Sequence, residues 1–528
     1  MQTIARTYMA KIQIDGYSLT LEDLINVARK DYDIVIKEQA IERIKNSRDI
    51  IDQIVEDEKT VYGVNTGFGS LSNVLISKED TKQLQENLIR SHAAGFGDPL
   101  TEDIVRALML IRINSLIKGY SGIRLSTVEC LVDMLNKGVH PYIPEKGSLG
   151  ASGDLAPLAH MVLPMIGLGK AYYRGELFEG KDAMAAAGIS PIALSSKEGL
   201  ALINGTSVLT AIGAVALYDS MVLAKYADII SALSFESFQG IIDAFDERLH
   251  VIRPHAGQIK TAANIRHLTK QSKYITKQGQ LRVQDPYSFR CIPQVHGASK
   301  DGLAYIKEKV EIEINAVTDN PVVTLEGDVI SGGNFHGEIM AQVFDYLAIV
   351  TAEIANISER RLERLINHSL SGNPSFLVPH PGVNSGFMIA QYAAAALVSE
   401  NKVLAHPASV DSIPSSENQE DIVSMGTISA RKAASIAENV RRVLATELMV
   451  AAQAIDIKAY GESKIKDPAN KLGLGTGLLY ELFRKEVAFI EYDKDVLMFD
   501  ELEKASHFIS KQKNIEAVEN AIGQHLLD

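Results

Sequence analysis

The sequence predicts a mainly α-helical fold, a central bundle of long helices accompanied by short β hairpins. Two long segments carry this prediction. Residues 337–367 place Met340, Val343, Leu347, Val350, Ile354 and Ile357 three or four positions apart with no internal Pro or Gly, and residues 427–460 do the same through an Ala-rich run. A helix of about 30 residues is roughly 45 Å long. Its apolar stripe therefore needs equally long partners, which points to an extended bundle and to association of chains. Strand signals are brief by contrast: 11–14, 172–178 around Arg174-Gly175, and 322–329 around Glu326-Gly327. Each reads as a small hairpin or edge element, and no βαβ rhythm, internal repeat or low-complexity segment is seen.

Local chemistry justifies the remaining elements in order. Thr20 and Asp23 resemble a capping box ahead of Leu21, Leu24, Ile25 and Ala28, which lie on one helical face. A second helix is expected from Thr101 to about Leu116, with Glu102 and Asp103 in the first turn where the helix dipole favours acids. Residues 199–218 carry no charge over about the length of a membrane span. They include Asn204, Gly205, Thr206, Ser207, Thr210 and Gly213, so a buried helix entered through a polar loop is expected, with no membrane as partner. Loops rich in Gly, Pro and Asn interrupt the helices at 63–72, 140–153, 285–297, 373–386 and 405–419. In a helical scaffold these are the places for chemistry.

Composition narrows the function classes. With 46% hydrophobic and 23% charged residues the chain is an ordinary ordered globular protein. The 53 Lys+Arg against 66 Asp+Glu leave a net charge of −13, which repels phosphate backbones and argues against nucleic acid. Two cysteines, Cys130 and Cys291, make neither a disulfide framework nor a metal cluster. Residues 1–11 hold no apolar signal core, so a cytoplasmic location is expected. No Walker loop, HExxH or G-x-S-x-G motif occurs, and the 13 histidines are scattered. Gly473-x-Gly475-x-Gly477 lacks a preceding strand and reads as a flexible turn. Neither metal nor nucleotide is expected.

One run stands apart: Gly147-Ser148-Leu149-Gly150-Ala151-Ser152-Gly153-Asp154-Leu155-Ala156-Pro157-Leu158-Ala159-His160. It resembles the signature of the histidine, phenylalanine and tyrosine ammonia-lyases and the related aminomutases. That resemblance covers nearly the whole chain. It implies that Ala151, Ser152 and Gly153 cyclise into 4-methylidene-imidazole-5-one (MIO), an electrophile that no standard side chain supplies. The residue types suit that chemistry. Gly153 lacks the Cβ that would oppose a compressed backbone, Ala151 leaves the attacked carbonyl uncrowded, and Ser152 offers a β-hydroxyl that departs as water. Asp154 followed by Pro157 reads as a helix start, and helix N-termini near the group would favour an electron-rich adduct.

Further roles follow from the same resemblance. Tyr62, in Tyr62-Gly63-Val64-Asn65-Thr66-Gly67-Phe68-Gly69, matches the catalytic base, a phenol whose ordinary pKa near ~10 must be lowered to serve. Asn204 matches the asparagine beside the cofactor. Gln284-Asp285-Pro286-Tyr287-Ser288-Phe289-Arg290 is similar to the loop that carries a catalytic-site tyrosine, Tyr287, and the arginine that grips the substrate carboxylate, Arg290, with Gln284 on the substrate side. Phe335 would line the pocket. Ser91-His92, Glu420 and Asn384-Ser385-Gly386-Phe387-Met388 follow the histidine-type pattern. His92 and Glu420 suit an imidazole, whereas a carboxylate against a phenyl ring is desolvated for nothing. His296 replaces the methionine usual among histidine-type members, an added polar group expected to be structural, and the leader over residues 1–10 is longer than typical.

The expectation is therefore an MIO-bearing N-terminal domain over 1–200, a long-helix bundle over 201–465 and a C-terminal helical region over 466–528. The resemblance implies a homotetramer with shared active sites. The implied reaction converts L-histidine to trans-urocanate and ammonia. Tyrosine or phenylalanine lyase or aminomutase activity is the alternative within the family, and a non-enzymatic helical scaffold the alternative outside it.

Overall fold

A computed structural model describes residues 10–526 except 65, 68–75, 77–79, 379, 462–467 and 492–494, together with the side chains of 460 and 461. Among the described residues helix accounts for 61% and strand for 8%, so the fold is mainly α. The elements expected from sequence form with their physical causes visible. Thr20 accepts from the Asp23 amide and Asp23 answers the Thr20 amide, closing the capping box before the helix Leu21–Arg29. The helix Glu102–Leu116 follows Thr101 with two acids in its first turn. The two long periodic segments are the helices Glu338–Ile366 and Gly426–Gly461.

The uncharged stretch is broken at Asn204-Gly205 into a short helix, Glu198–Ile203, and a 31-residue helix, Ser207–Ser237. The longer one has the length and composition of a membrane span, but 78% of its most apolar window is buried inside the protein, as a core helix requires.

Three expectations are corrected. The strand Lys11–Ile14 is an edge element, as one of the two alternatives had it, but the absence of any βαβ unit is corrected: it pairs in parallel with Asp33–Ile36 across the helix Leu21–Arg29, a single unit that four-residue strands hid from the periodicity. Within the loop expected at 285–297, Tyr287–Arg290 makes a helical turn and Ile292–Glu313 is a helix of 22 residues, with Pro286 just before the turn and Pro293 in the first turn of the helix, where a missing amide costs nothing. The Gly473, Gly475 and Gly477 run is no flexible turn either: Gly473 caps the helix Leu474–Arg484 and the other two are buried in it. A Cβ on Gly475 would stand 2.6 Å from Leu268 Cδ2, so close packing explains the glycine there.

The chain divides into two compact units, interleaved along the sequence, whereas the boundaries expected at 200 and 465 are contiguous. The first unit comprises Met1–Ala216, Lys307–Asp345 and Pro407–Arg431; the second comprises Leu217–Ile306, Tyr346–His406 and Lys432–Asp528. In the first unit the hairpin Lys170–Tyr173/Glu176–Glu179 extends with Val139–Pro141 into three strands, and Phe96–Pro99 pairs with Pro144–Lys146. In the second, long helices are tied by buried polar groups. Arg361 and Glu447 form an ion pair at 2.6 Å with both side chains fully buried, and Ser234 and Ser358 donate to the same carboxylate at 2.7 and 2.6 Å. A buried pair of this kind is held by its satisfied hydrogen bonds more than by its charge. His296 lies in this core as expected of a structural group, its Nδ1 2.9 Å from Asp228 Oδ1, with Lys300 Nζ on the other oxygen at 2.5 Å.

Candidate active site

The Ala151, Ser152 and Gly153 run sits in a loop compressed by two left-handed glycines, Gly150 at φ +78° and Gly153 at φ +71°. Gly153 forms an isolated parallel bridge with Gly205, and the Asp154 amide donates to Gly205 O at 2.7 Å. The approach leaves no room for a side chain. A Cβ on Gly153 would lie 2.1 Å from Gly205 O, and one on Gly205 would lie 2.3 Å from Thr318 O. Glycine is thus required at both positions.

Asp154 starts the helix Leu155–Val162, as its sequence suggested, yet its side chain makes no cap there. The fully buried carboxylate instead caps the next long helix. Its Oδ2 accepts from the Val208 and Leu209 amides at 2.9 and 2.8 Å, and its Oδ1 accepts from Ser148 Oγ and Thr427 Oγ1 at 3.0 and 2.6 Å. Burial holds its pKa above the ordinary carboxylate value despite these four bonds. The positive end of the helix Ser207–Ser237 is therefore already occupied by this acid. Sequence reading named Asp154 only as a helix start and missed Ser148, Thr427 and Gly205; their one signal was a cluster of small polar and glycine residues.

Three expected site residues gather on this loop. Asn204 Nδ2 reaches Ser152 O at 3.4 Å, while Asn204 Oδ1 is buried with no hydrogen-bond partner among the described residues. Ser152 Oγ donates to Glu420 Oε1 at 3.3 Å, and Ser415 Oγ holds the other Glu420 oxygen at 3.0 Å. The chain beyond Glu420 runs along the loop, with the Ser424 and Met425 amides donating to Gly150 O and Leu149 O at 3.4 and 3.3 Å. His92, half-buried, feels the Glu420 carboxylate, but burial dominates and lowers its pKa below the ordinary imidazole value. Ser91 Oγ donates to Leu88 O at 3.2 Å, so its lone pair faces His92 Nδ1 at 3.0 Å. With the Ser91 proton on Leu88 O, His92 Nδ1 bears the ring proton and Nε2 is an acceptor.

Phe335 is half-buried, and its neighbour His336 approaches Ile422 O at 3.4 Å, bringing it beside the segment that follows Glu420. Tyr62 is half-buried in a turn closed by the Gly63 amide donating to Thr66 Oγ1 at 3.2 Å. Asn65, Phe68 and Gly69 of its motif lie outside the described residues.

The other four expected residues belong to the second unit. Gln284 is exposed, and Tyr287 is 72% exposed with Arg290 Cζ 4.5 Å from its ring centroid. Beneath them Asp285 is buried, accepting from the Ile241 amide at 2.5 Å and from Arg282 Nε at 2.6 Å, and Phe289 stacks on Phe238 at 4.4 Å. The turn is thus anchored while its aromatic and cationic groups project. Arg290 Nε is buried without a hydrogen-bond partner among the described residues. Met388 opens the helix Met388–Leu404 and is half-buried. No group of three or more His, Cys, Asp or Glu able to hold a metal occurs among the described residues.

The loop geometry suits the cyclised group that the family motif implies. Two left-handed glycines compress the run, no Cβ fits at 153, and beside it is buried an Asn204 oxygen with no partner among the described residues.

The family model for aromatic amino acid lyases matches residues 19–485. A histidine ammonia-lyase of Streptococcus pyogenes serotype M49 (strain NZ131) is 64% identical over 511 residues, 97% of this chain and 98% of its own. The crystal structure of histidine ammonia-lyase from Trypanosoma cruzi, 40% identical, superposes with a TM-score of 0.88 over 97% of this chain and 95% of that one. A tyrosine aminomutase from Streptomyces globisporus, 36% identical, gives 0.92 over 98% and 100%.

Proposed function

The chain belongs to the aromatic amino acid lyase family, and from that premise we propose that it is an ammonia-lyase converting L-histidine to trans-urocanate and ammonia. One observation carries the choice of substrate: Glu420 meets Ser152 Oγ at 3.3 Å and interacts with His92. A carboxylate and an imidazole acceptor on one side of the reactive loop suit a ring with N–H groups and give a phenyl ring nothing. His92 Nε2 and the Glu420 carboxylate together offer two acceptors, and Glu420 balances the charge of an imidazole bearing two N–H groups.

Ala151, Ser152 and Gly153 form the cofactor in this reading. The Gly153 amide nitrogen bonds to the Ala151 carbonyl carbon with loss of one water, and Ser152 loses its hydroxyl and α-hydrogen as a second. Held by these residues, the MIO group would supply an electrophile for the substrate, through its amine or its ring, that eases departure of ammonia. Tyr62 removes the β-proton. Arg290 grips the carboxylate in a bidentate pair, with Gln284 and Tyr287 beside it, while Asn204, Phe335 and Met388 shape the pocket. The family resemblance implies a homotetramer with shared active sites, and the exposed Tyr287 ring beside Arg290 agrees with a site completed by another copy of the chain. Two free cysteines agree with a cytoplasmic location.

Absorbance of the purified protein with L-histidine tests the substrate: urocanate should accumulate. Cinnamate, coumarate or a β-amino acid from phenylalanine or tyrosine, with no urocanate, would refute it in favour of the other family activities. Ser152→Ala should abolish turnover and leave the intact mass at the sequence value, where the parent is two waters lighter. Retained turnover would overturn the mechanism.

A further inference from the structure

The first unit holds a cavity of about 500 Å³ that shares no lining residue with the reactive loop. Its walls carry Arg106, His140, Lys137, Arg174, Asp31 and Glu102. Arg106, only 4% exposed, spends Nε on Val27 O at 2.9 Å and Nη1 on Leu135 O at 3.2 Å. Its Nη2 makes no hydrogen bond among the described residues and has Asp31 Oδ1 at 3.8 Å. Nη1 also lies 3.2 Å from His140 Nε2. A guanidinium only donates, so that nitrogen carries the lone pair and the His140 proton sits on Nδ1, 3.5 Å from Glu102 Oε1. Burial and the Arg106 charge push His140 down to about 4, so it is neutral at pH 7. Lys137 is already paired with Asp133 at 2.8 Å, outside the cavity.

The remaining charges are two guanidiniums, Arg106 and Arg174, against two carboxylates, Asp31 and Glu102. A simple anion meets the carboxylates and a simple cation meets the guanidiniums; a small molecule bearing both charges meets complements for each. We propose that this cavity binds a free zwitterionic α-amino acid, its carboxylate on Arg106 and Arg174 and its ammonium on Asp31 and Glu102, separately from the site on Ser152. The strand Val139–Pro141 that carries His140 leads directly to Pro144–Lys146, which pairs with Phe96–Pro99 just after the His92 helix and then enters the reactive loop. An amino acid seated here therefore borders the backbone that sets both His92 and the loop.

Isothermal titration calorimetry of the full-length protein with each standard L-amino acid tests this, using the parent, Arg174→Asn and Glu102→Gln. Arg174 is exposed at φ +53°, a conformation asparagine adopts readily, and Glu102 is also exposed, so both variants keep the fold. The proposal expects at least one amino acid whose binding survives Ser152→Ala and weakens at least tenfold in both rim variants. Acetate and methylamine should each bind far more weakly than that amino acid. Three results would overturn it: no amino acid binding beyond that lost with the reactive loop, binding unchanged in the rim variants, or acetate alone matching the amino acid.

Discussion

Replacing Asp154 by Ala isolates what holds the reactive loop. The variant removes the acceptor for two buried amides, Val208 and Leu209, at the head of a 31-residue helix. Each buried N–H left without a partner costs about 1–3 kcal/mol. The Ser148 and Thr427 hydroxyls lie 2.9 Å apart and satisfy each other, so they add little. Relief of a buried carboxylate, whose pKa burial raises, returns part of the loss. The net expectation is a loss of about 2–5 kcal/mol. Asp154→Asn keeps an oxygen for both amides and an NH₂ that both hydroxyls accept, and should cost about 1 kcal/mol. At about 2 °C per kcal/mol for a large domain, calorimetry should find the midpoint lowered by about 4–10 °C for Ala and about 2 °C for Asn. Intact mass should show the two-water loss retained in Asn and incomplete in Ala. Equal losses in the two variants would mean that charge, not the acceptor, matters; an Ala variant with the parent's midpoint would refute the tie altogether.

Other tests follow from the same geometry. Gly153→Ala puts a Cβ 2.1 Å from Gly205 O at φ +71°, adding about 1–2 kcal/mol of left-handed strain to an overpacking cost of about 1–3 kcal/mol; mass spectrometry should find no loss of two waters, and a mature variant would count against the compression. Glu420→Ala should lower kcat/KM for L-histidine about 10–100-fold, the worth of one charged hydrogen bond, with an unchanged ratio excluding contact with the substrate. His140 has a folded pKa depressed to about 4, so its contribution is fully present above about 6.5 and is lost as pH falls through about 4. Over that window the parent should lose on the order of 3 kcal/mol relative to His140→Gln, which does not titrate; parallel denaturation curves across pH would contradict this.

The helical fold was legible because its causes are local. The stripe from Met340 to Ile357 and the Thr20/Asp23 box lie within a few turns of chain, where spacing alone decides which face is buried. The brief strands were read less well. Asp33–Ile36 and Pro144–Lys146 have too few residues for alternation to register, and their partners lie far away in sequence. The glycines at 473 and 475 misled for a similar reason, since Leu268 is what demands them.

Of the site, sequence by itself suggested the chemistry we propose: a tripeptide able to cyclise, a tyrosine, an arginine, and an imidazole–carboxylate pair suited to a ring with N–H groups. Covalent reactivity belongs to residue types in order along the chain, so a linear text can hold it. Only the tertiary structure decided that Asp154 spans two helix starts, that Gly205 closes on Gly153, and that Glu420 reaches Ser152 from 268 positions away. Those are matters of distance between remote segments. Burial and hydrogen-bond satisfaction set them, and neither is written at any single position.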